Sequence, residues 1–153
     1  MKKIRFVALA VAMLMLAMCA VACSSEKITV NCTVSVEVDG EIYLDQYAYA
    51  VTNKVETPPT ILQAVSEVFT MVEYNYAVDE EGLSLTAVTV DGTDYVAGLS
   101  ADGSAIGYWG CTVNGAEPEA GRMGNTTIHE GDHVVVSFKT TPMNVQEFSD
   151  PEA

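Results

Sequence analysis

The stretch that decides the fold runs from Ile28 to Val51 and reads "ITVNCTVSVEVDGEIYLDQYAYAV". Apolar residues occupy every second position from Ile28 to Val38, and polar residues occupy the positions between them. Strict alternation of this kind is typical of a β-strand with one buried face. Asp39-Gly40 accepts the positive φ angles of a type I′ turn, so the sequence predicts a hairpin whose second strand runs from Glu41 to Thr52.

A single helix is predicted after this hairpin. Pro58 and Pro59 end the second strand, and Thr60 with Gln63 has the spacing of a capping box. One face of the helix should pack on a sheet, because apolar residues recur at helical spacing. These residues are Ile61, Leu62, Val65, Val68, Phe69 and Val72. Several β-branched residues lower the helix propensity, so we expect a short helix that is held by packing.

Strand-like runs resume after the helix as "LSLTAVTV", "DYVAGL", "YWGCTVNG" and "HVVVSFK", with Gly, Asp and Ser between them. A hairpin, one helix and further strands form an α+β pattern. We therefore predict a β-grasp-like mixed sheet of about five strands, covered on one face by a single helix. The domain should span residues 28–139, and the polar segment 140–153 should be a loose tail.

The N-terminus, "MKKIRFVALAVAMLMLAMCAVACSS", has the organisation of an export signal. A positively charged start is followed by an apolar run from Phe6 to Met18 and then by small residues. Ala20 to Ala22 before Cys23 resemble the lipobox of bacterial lipoproteins, which implies cleavage after Ala22 and diacylglycerol on Cys23. Residues 1–22 are then the signal peptide, and residues 23–27 are the lipidated Cys with a short tether. A plain secretory signal and a retained anchor are the competing interpretations.

The charge of the processed chain excludes one class of partner. After cleavage the chain carries 4 basic and 21 acidic residues, a formal charge of −17. Nucleic acid requires clustered Lys and Arg to neutralise its phosphates, so it is excluded as a ligand. The remaining residues suit one domain with one core.

The stretch "YWGCTVNG" contains the only Trp of the chain and ends in a hairpin-type turn at Asn114-Gly115. Alternation divides its strand into two faces, and the more apolar face should meet the helix. That face carries Trp109, Cys111 and Val113, whereas the open face carries Tyr108, Gly110 and Thr112. Gly110 should leave a gap that admits a flat ligand beside Tyr108. The candidate ligand-binding residues are Tyr108, Trp109, Gly110 and Thr112, and the competing interpretation is that they are ordinary core and sheet residues.

The segment "YWGCTVNGAEPEAGRMGNTTIHEGDHVVVSF" resembles the transcobalamin-like C-terminal domain family of bacterial surface lipoproteins. The matching residues are Tyr108-Trp109, Val113-Asn114-Gly115 and Gly131-Asp132, and residues 60–65 resemble the helix opening of the family. The resemblance covers roughly residues 28–139. It implies a β-grasp-like fold and a small ligand of the corrinoid type.

The resemblance also bears on partners. The vitamin carriers that it invokes enclose their ligand between this domain and a large helical domain. A β-domain alone covers one side, so we expect modest affinity unless a membrane transporter or a second ligand-binding protein closes the site. We therefore predict a non-enzymatic lipoprotein, without a resident cofactor, on the extracellular face of the bacterial membrane. The rival prediction is a protein-interaction or adhesion module that uses the open sheet face or an edge strand.

The segment "HEGDH", from His129 to His133, matches the zincin expression, whose chemistry needs both His side chains on one helical face. Gly131 and the Val-rich run that follows favour a turn into a strand, which would place the two His side chains more than about 10 Å apart. We predict neither catalysis nor a zinc site at this segment.

Cys32 and Cys111 are the two cysteines that would remain after lipidation of Cys23. An extracellular location favours a disulfide between them. In a β-grasp sheet, however, the last strand lies between their strands, and two strand spacings of about 9.6 Å exceed the reach of a bridge. We therefore predict two buried thiols.

Overall fold

The computed structural model describes residues 26–119 and 122–143. Within these residues, one helix, α1 (Ile61–Met71), and one turn of 3-10 helix (Met123–Asn125) accompany eight strands. The strands are β1 (Lys27–Val38), β2 (Glu41–Lys54), β3 (Asn75–Val78), β4 (Leu85–Val90), β5 (Thr93–Val96), β6 (Gly98–Leu99), β7 (Ala105–Val113) and β8 (Asp132–Pro142). The fold is therefore a mixed α+β arrangement that is built mostly from strands.

The predicted hairpin is confirmed as β1 and β2. Its turn residues, Asp39 and Gly40, have φ angles of 47° and 87°, which are the left-handed values that a type I′ turn requires. The pairing slips between Val34 and Val36, where Gln46 of β2 also has a positive φ and its backbone N–H donates to Ser35 Oγ. This irregularity leaves Ser35 buried although it alternates with the core residues of β1.

The main sheet has five strands in the order β2-β1-β8-β7-β6. Strands β1 and β8 are parallel, and the other neighbours run antiparallel. The first and last strands of the described chain therefore lie side by side in the sheet. Directly paired residues share a face, so Val34, Val134 and Val113 mark one face, which we call the inner face. The opposite face, marked by Thr33, Val135 and Tyr108, is the open face.

A second sheet, with the order β3-β4-β5, was not predicted. The run "DYVAGL", predicted as one strand, divides at Ala97 into β5 and β6, which belong to different sheets. Gly98 has a φ of 124° and changes the direction of the chain at this point, a conformation that is open to glycine and strained for other residues. The prediction of one sheet of about five strands is therefore correct for the main sheet and incomplete for the chain.

Helix α1 begins as predicted, with Thr60 as its N-cap. The Thr60 hydroxyl accepts a hydrogen bond from Gln63 N at 3.3 Å. The Gln63 side chain does not complete the capping box, because it accepts from Asn53 Nδ2 of β2 and donates to Glu67. The Gln63 side chain therefore links α1 to β2, which is an edge strand of the main sheet.

The core lies between the inner face of the main sheet and a layer formed by α1 and the three-stranded sheet. Both elements contribute to one cluster of buried side chains. The main sheet supplies Val30, Cys32, Val34, Val36, Val38, Val51, Trp109, Val134, Val136 and Phe138; the helix supplies Ile61, Leu62, Ala64, Val65, Val68 and Phe69; and β4 supplies Leu85, Val88 and Val90.

Strand β8 continues past residue 139, where the predicted domain ends. Residues 140–142, which were predicted to belong to the loose tail, are part of β8. They pair with the first residues of β7, where Ala105 lies opposite Pro142. The predictions for the signal segment, for Cys23 and for the tail after Met143 lie outside the described residues. Within the described residues, no helix has the length and apolar character that crossing a membrane would require.

Candidate ligand-binding face

Strand β7 places the residues of "YWGCTVNG" on two faces, as the alternation predicts. Trp109 lies opposite Phe138 on the inner face and is 9% exposed. Tyr108 lies opposite Lys139 on the open face and is 45% exposed. Neighbouring residues of one strand therefore have very different surroundings.

Trp109 is an anchor between the two sheets. Its indole Nε1 donates to the backbone carbonyl of Tyr95 in β5 at 2.9 Å, and its ring lies 5.2 Å from the Phe138 ring. A buried indole N–H needs such a partner. Trp109 lies on the apolar face, as the alternation predicts, so its side chain is on the opposite side of the sheet from Tyr108 and from the other candidate ligand-binding residues. The sequence could not identify its partner, since β5 belongs to the unpredicted second sheet.

The structure brings the other three candidate residues together on the open face. Tyr108, Gly110 and Thr112 follow one another on the same side of β7. A Cβ added at Gly110 would meet no atom within 4 Å, so there is free space beside the Tyr108 ring. None of these three residues belongs to the buried core cluster. The open face of β7 therefore carries, in one row, the Tyr108 ring, the gap at Gly110 and the Thr112 hydroxyl.

Gly107, three residues before Gly110 in the same strand, has the opposite environment. It is buried on the inner face, and a Cβ added there would overlap the Phe138 ring. Phe138 also lies 5.5 Å from Tyr95, so its ring is enclosed by β7 and β5. Gly107 is therefore required for packing, whereas Gly110 is not.

The motif residues Asn114 and Asp132 form a latch between the β7 turn and the start of β8. Asn114 has a φ of 52°, and its side chain donates to Asp132 Oδ1 at 2.8 Å and accepts from His133 N at 2.9 Å. The other Asp132 oxygen accepts from His129 N at 2.8 Å. These contacts give both residues a structural role that does not depend on a ligand.

The "HEGDH" segment forms a turn that leads into β8, as predicted. Both Glu130 carboxylate oxygens accept hydrogen bonds from Asn31, at 2.8 Å from the backbone N–H and 2.9 Å from the side chain. These bonds lower the pKa of Glu130. The His133 ring nitrogen Nδ1 lies 2.8 Å from the Thr33 hydroxyl. The segment therefore ties β8 to β1 and does not have the helical geometry of a zincin site.

Cys32 and Cys111 are both free in the structure. Cys111 pairs with Val136, whereas Cys32 pairs with Asp132, four residues earlier on β8. That offset adds about 13 Å along the strands to the distance across the sheet, which excludes a bridge in this fold. Burial raises the pKa of Cys111 to about 11 and also raises that of Cys32, so both thiols are protonated at neutral pH. Cys111 is only half-buried, because it lines a cavity of about 180 Å³ beside Glu117.

Metal ligands do not cluster in the described part of the chain. Within residues 26–119 and 122–143, no group of three or more His, Cys, Asp or Glu side chains is arranged to hold a metal ion.

No family model matches the chain, and no curated protein matches it. A solved structure at 1.30 Å resolution, from Ruminococcus gnavus ATCC 29149 and described as a "putative metal binding protein", is 21% identical. That match covers 73% of this chain and 98% of the other, with a TM-score of 0.40. A likeness of this degree supports no inference about the site.

Proposed function

We propose that this chain is a membrane-anchored extracellular lipoprotein that binds a small ligand on the open face of its main sheet. The observation that carries the proposal is the exposed Tyr108 ring beside the free space over Gly110. An exposed aromatic ring next to a gap in a flat sheet surface suits a planar ligand, which stacks on the ring and fills the gap. Thr112 adds a hydroxyl, and Lys139 adds a cationic donor opposite Tyr108.

A corrinoid is the ligand that the family resemblance suggests. The same resemblance underlies the proposal that the main sheet is of the β-grasp type. Two features support a main sheet of the β-grasp type: β1 and β8 are adjacent and parallel, and one helix packs on the inner face. The additional three-stranded sheet is then an insertion between the helix and the last strands. The proposal assigns binding to this chain and no catalysis.

Lipid attachment at Cys23 places the domain close to the membrane. Ser24 to Lys27 reach about 14 Å at full extension, and Lys27 is already the first residue of β1. The exported protein should carry lipid on Cys23 and partition into detergent. Processing that is insensitive to globomycin, or an N-terminus before Cys23 in the mature protein, would contradict the lipoprotein proposal.

Calorimetry with the purified exported chain and a corrinoid tests the ligand proposal. We expect a dissociation constant in the micromolar range or weaker, because one face alone covers the ligand. Tyr108→Ala should weaken binding about twofold to tenfold through loss of the stacking contact. Tyr76→Ala is the matched control, because Tyr76 is 39% exposed and lies in β3 of the other sheet. Absence of binding heat at any reachable concentration would reject corrinoid as the ligand.

A second candidate function is protein interaction along the free edge of β2. This strand is 14 residues long and pairs only with β1 among the described strands. Unpaired backbone groups of a long edge strand can accept an added strand from a partner. Amide hydrogen exchange along β2 should slow when such a partner binds. A partner that leaves exchange in β2 unchanged would exclude this edge as its site.

A further inference from the structure

The start of β1 and the end of β2 extend beyond the other strands of the main sheet. Strand β1 pairs with β2 from Lys27 onward, but its pairing with β8 begins only at Cys32. At about 3.4 Å per residue, this end of the hairpin reaches about 17 Å past Cys32. Lys27 and the two residues after it are all exposed. We call this region the projecting end and define it by Lys27, Ile28, Lys54 and Val55.

The projecting end carries a pair of lysines. Lys27 and Lys54 lie directly opposite each other in the ladder. Directly opposite side chains stand on the same face with Cβ atoms about 4.5–5.5 Å apart, so two ammonium groups in these positions repel each other. In the described part of the chain, the ion pairs involve Arg122 and His129 and neither of these lysines. An anion that contacts both lysines would remove the repulsion between them.

Apolar side chains are exposed beside the two lysines. Ile28 is 38% exposed and Val55 is 48% exposed. The backbone N–H of Val55 donates to the carbonyl of Glu26 at 2.9 Å, which holds Val55 next to the start of β1. Single exposed apolar residues are ordinary, but lysines beside apolar side chains suit the boundary of a membrane. There the apolar groups contact acyl chains while the ammonium groups stay among the headgroups.

The charge of the projecting end differs from that of the rest of the domain. Glu26 and Glu56 flank the two lysines, so residues 26–28 and 54–56 together carry two basic and two acidic side chains and a formal charge of zero. The processed chain has 4 basic and 21 acidic residues, which leaves 2 basic and 19 acidic residues, a formal charge of −17, for the remainder. An anionic surface therefore repels the remainder of the domain and does not repel the projecting end.

We propose that the projecting end lies on the membrane surface, where Lys27 and Lys54 bind the phosphate groups of anionic lipids. The inference rests on the proposed lipid attachment at Cys23, because Lys27 follows Cys23 by only four residues. The anchor brings this end of the domain to the membrane. Attraction of the two lysines and repulsion of the acidic remainder then fix which end of the domain faces the lipid. The interaction does not depend on ligand binding at the open face.

Lysine acylation, read by peptide mass spectrometry, tests the proposal with the exported chain in phosphatidylcholine vesicles with and without phosphatidylglycerol. Lys139 is the internal control, because it is exposed and follows Phe138, the partner of Val38 at the far end of β1. Phosphatidylglycerol should slow acylation of Lys27 and Lys54 about threefold to fivefold relative to Lys139. High salt should remove this protection, because it screens the attraction between the lysines and the lipid.

Two variants test whether the lysines act as a pair. Lys54→Gln should reduce the protection of Lys27 about twofold, because a single lysine holds the lipid phosphate less well. Lys139→Gln is the matched control and should leave the protection of Lys27 unchanged. Both substitutions replace exposed side chains, so neither should disturb the fold.

The outcomes separate this proposal from the lipoprotein proposal. Equal acylation of the three lysines on phosphatidylglycerol vesicles would overturn it, as would equal slowing on phosphatidylcholine alone or unchanged protection of Lys27 in Lys54→Gln. In each of these cases the chain still floats with the vesicles, and the lipid anchor stands. A chain that does not float with the vesicles has no anchor, which would overturn both proposals.

Discussion

The two faces of β7 have very different surroundings. On the inner face, Trp109 donates to a carbonyl of the second sheet, and Gly107 leaves room for the Phe138 ring. On the open face, Tyr108 is exposed, and Gly110 has no neighbour within reach of an added Cβ. The same residue types, an aromatic residue and a glycine, serve packing on one side and leave accessible surface on the other.

This difference shows that residue type alone does not indicate a site. An exposed aromatic side chain contributes little to the core and is therefore free to serve binding. A buried aromatic side chain of the same strand is constrained by its hydrogen bond and its packing. Paired substitutions on the two faces should consequently separate stability from binding.

The largest difference is expected between the two aromatic residues. Trp109→Ala should lower the free energy of unfolding by about 3–5 kcal/mol, because it removes a buried ring and leaves the Tyr95 carbonyl without the indole donor. Tyr108→Ala should change it by less than about 1 kcal/mol, since surface substitutions have small effects. Chemical denaturation of both variants measures the difference. Equal losses would mean that Tyr108 also serves the core.

The two glycines extend the comparison without removing any side chain. Gly107→Ala should cost about 1–3 kcal/mol, because its Cβ overlaps the Phe138 ring and forces the core to shift. Gly110→Ala should stay within about 0.5 kcal/mol of the parent, since its Cβ enters open space. Thermal melts of the two variants check this expectation. A stable Gly107→Ala variant would show that Phe138 is not confined as described.

The latch at the end of β7 should have an intermediate effect. Asn114→Ala loses the hydrogen bonds to Asp132 and His133 and places a residue other than Asn or Gly at a φ of 52°. We expect a cost of about 1–2 kcal/mol. Asn114→Gly keeps the backbone conformation and should recover part of that cost. If both variants retain full stability in urea, the latch does not contribute to folding.

The smallest effect concerns the pH dependence of the turn that enters β8. Hydrogen bonds from Asn31 lower the pKa of Glu130 below its ordinary value. The carboxylate therefore contributes stability above the unfolded pKa, and this contribution is lost as pH falls through the folded pKa. Glu130→Gln should remove that loss below about pH 4.5, whereas the exposed control Glu41→Gln should not. Denaturation measures the free energy of unfolding of the parent, Glu130→Gln and Glu41→Gln proteins between pH 6 and pH 3. If this free energy depends on pH in the same way in all three, Glu130 does not make the proposed contribution.

The parts of the structure that depend on local pattern could be predicted from the sequence. Alternation and Asp39-Gly40 predicted the first hairpin, and the capping residue Thr60 predicted the start of α1. Alternation also divided β7 into the faces that the structure shows. The lipid anchor and the corrinoid remain predictions, because they rest on motifs and on resemblance.

The second sheet could not be predicted, because its signals are weak or misleading. Strand β3 has four residues that are all exposed, so its sequence shows no buried face. The break at Gly98 lies inside a run that reads as one strand. The partner of the Trp109 indole depends on how the two sheets pack, and that packing leaves no local pattern in the sequence.

The central claim, that the open face binds a ligand independently of the core, is tested most directly by Gly110→Val. The strand should accept a β-branched residue, and the added side chain should fill the gap beside Tyr108. The account predicts that corrinoid heat disappears in calorimetry while the melting temperature shifts by no more than about 4 °C. Corrinoid binding of parental strength in a folded Gly110→Val variant would contradict it.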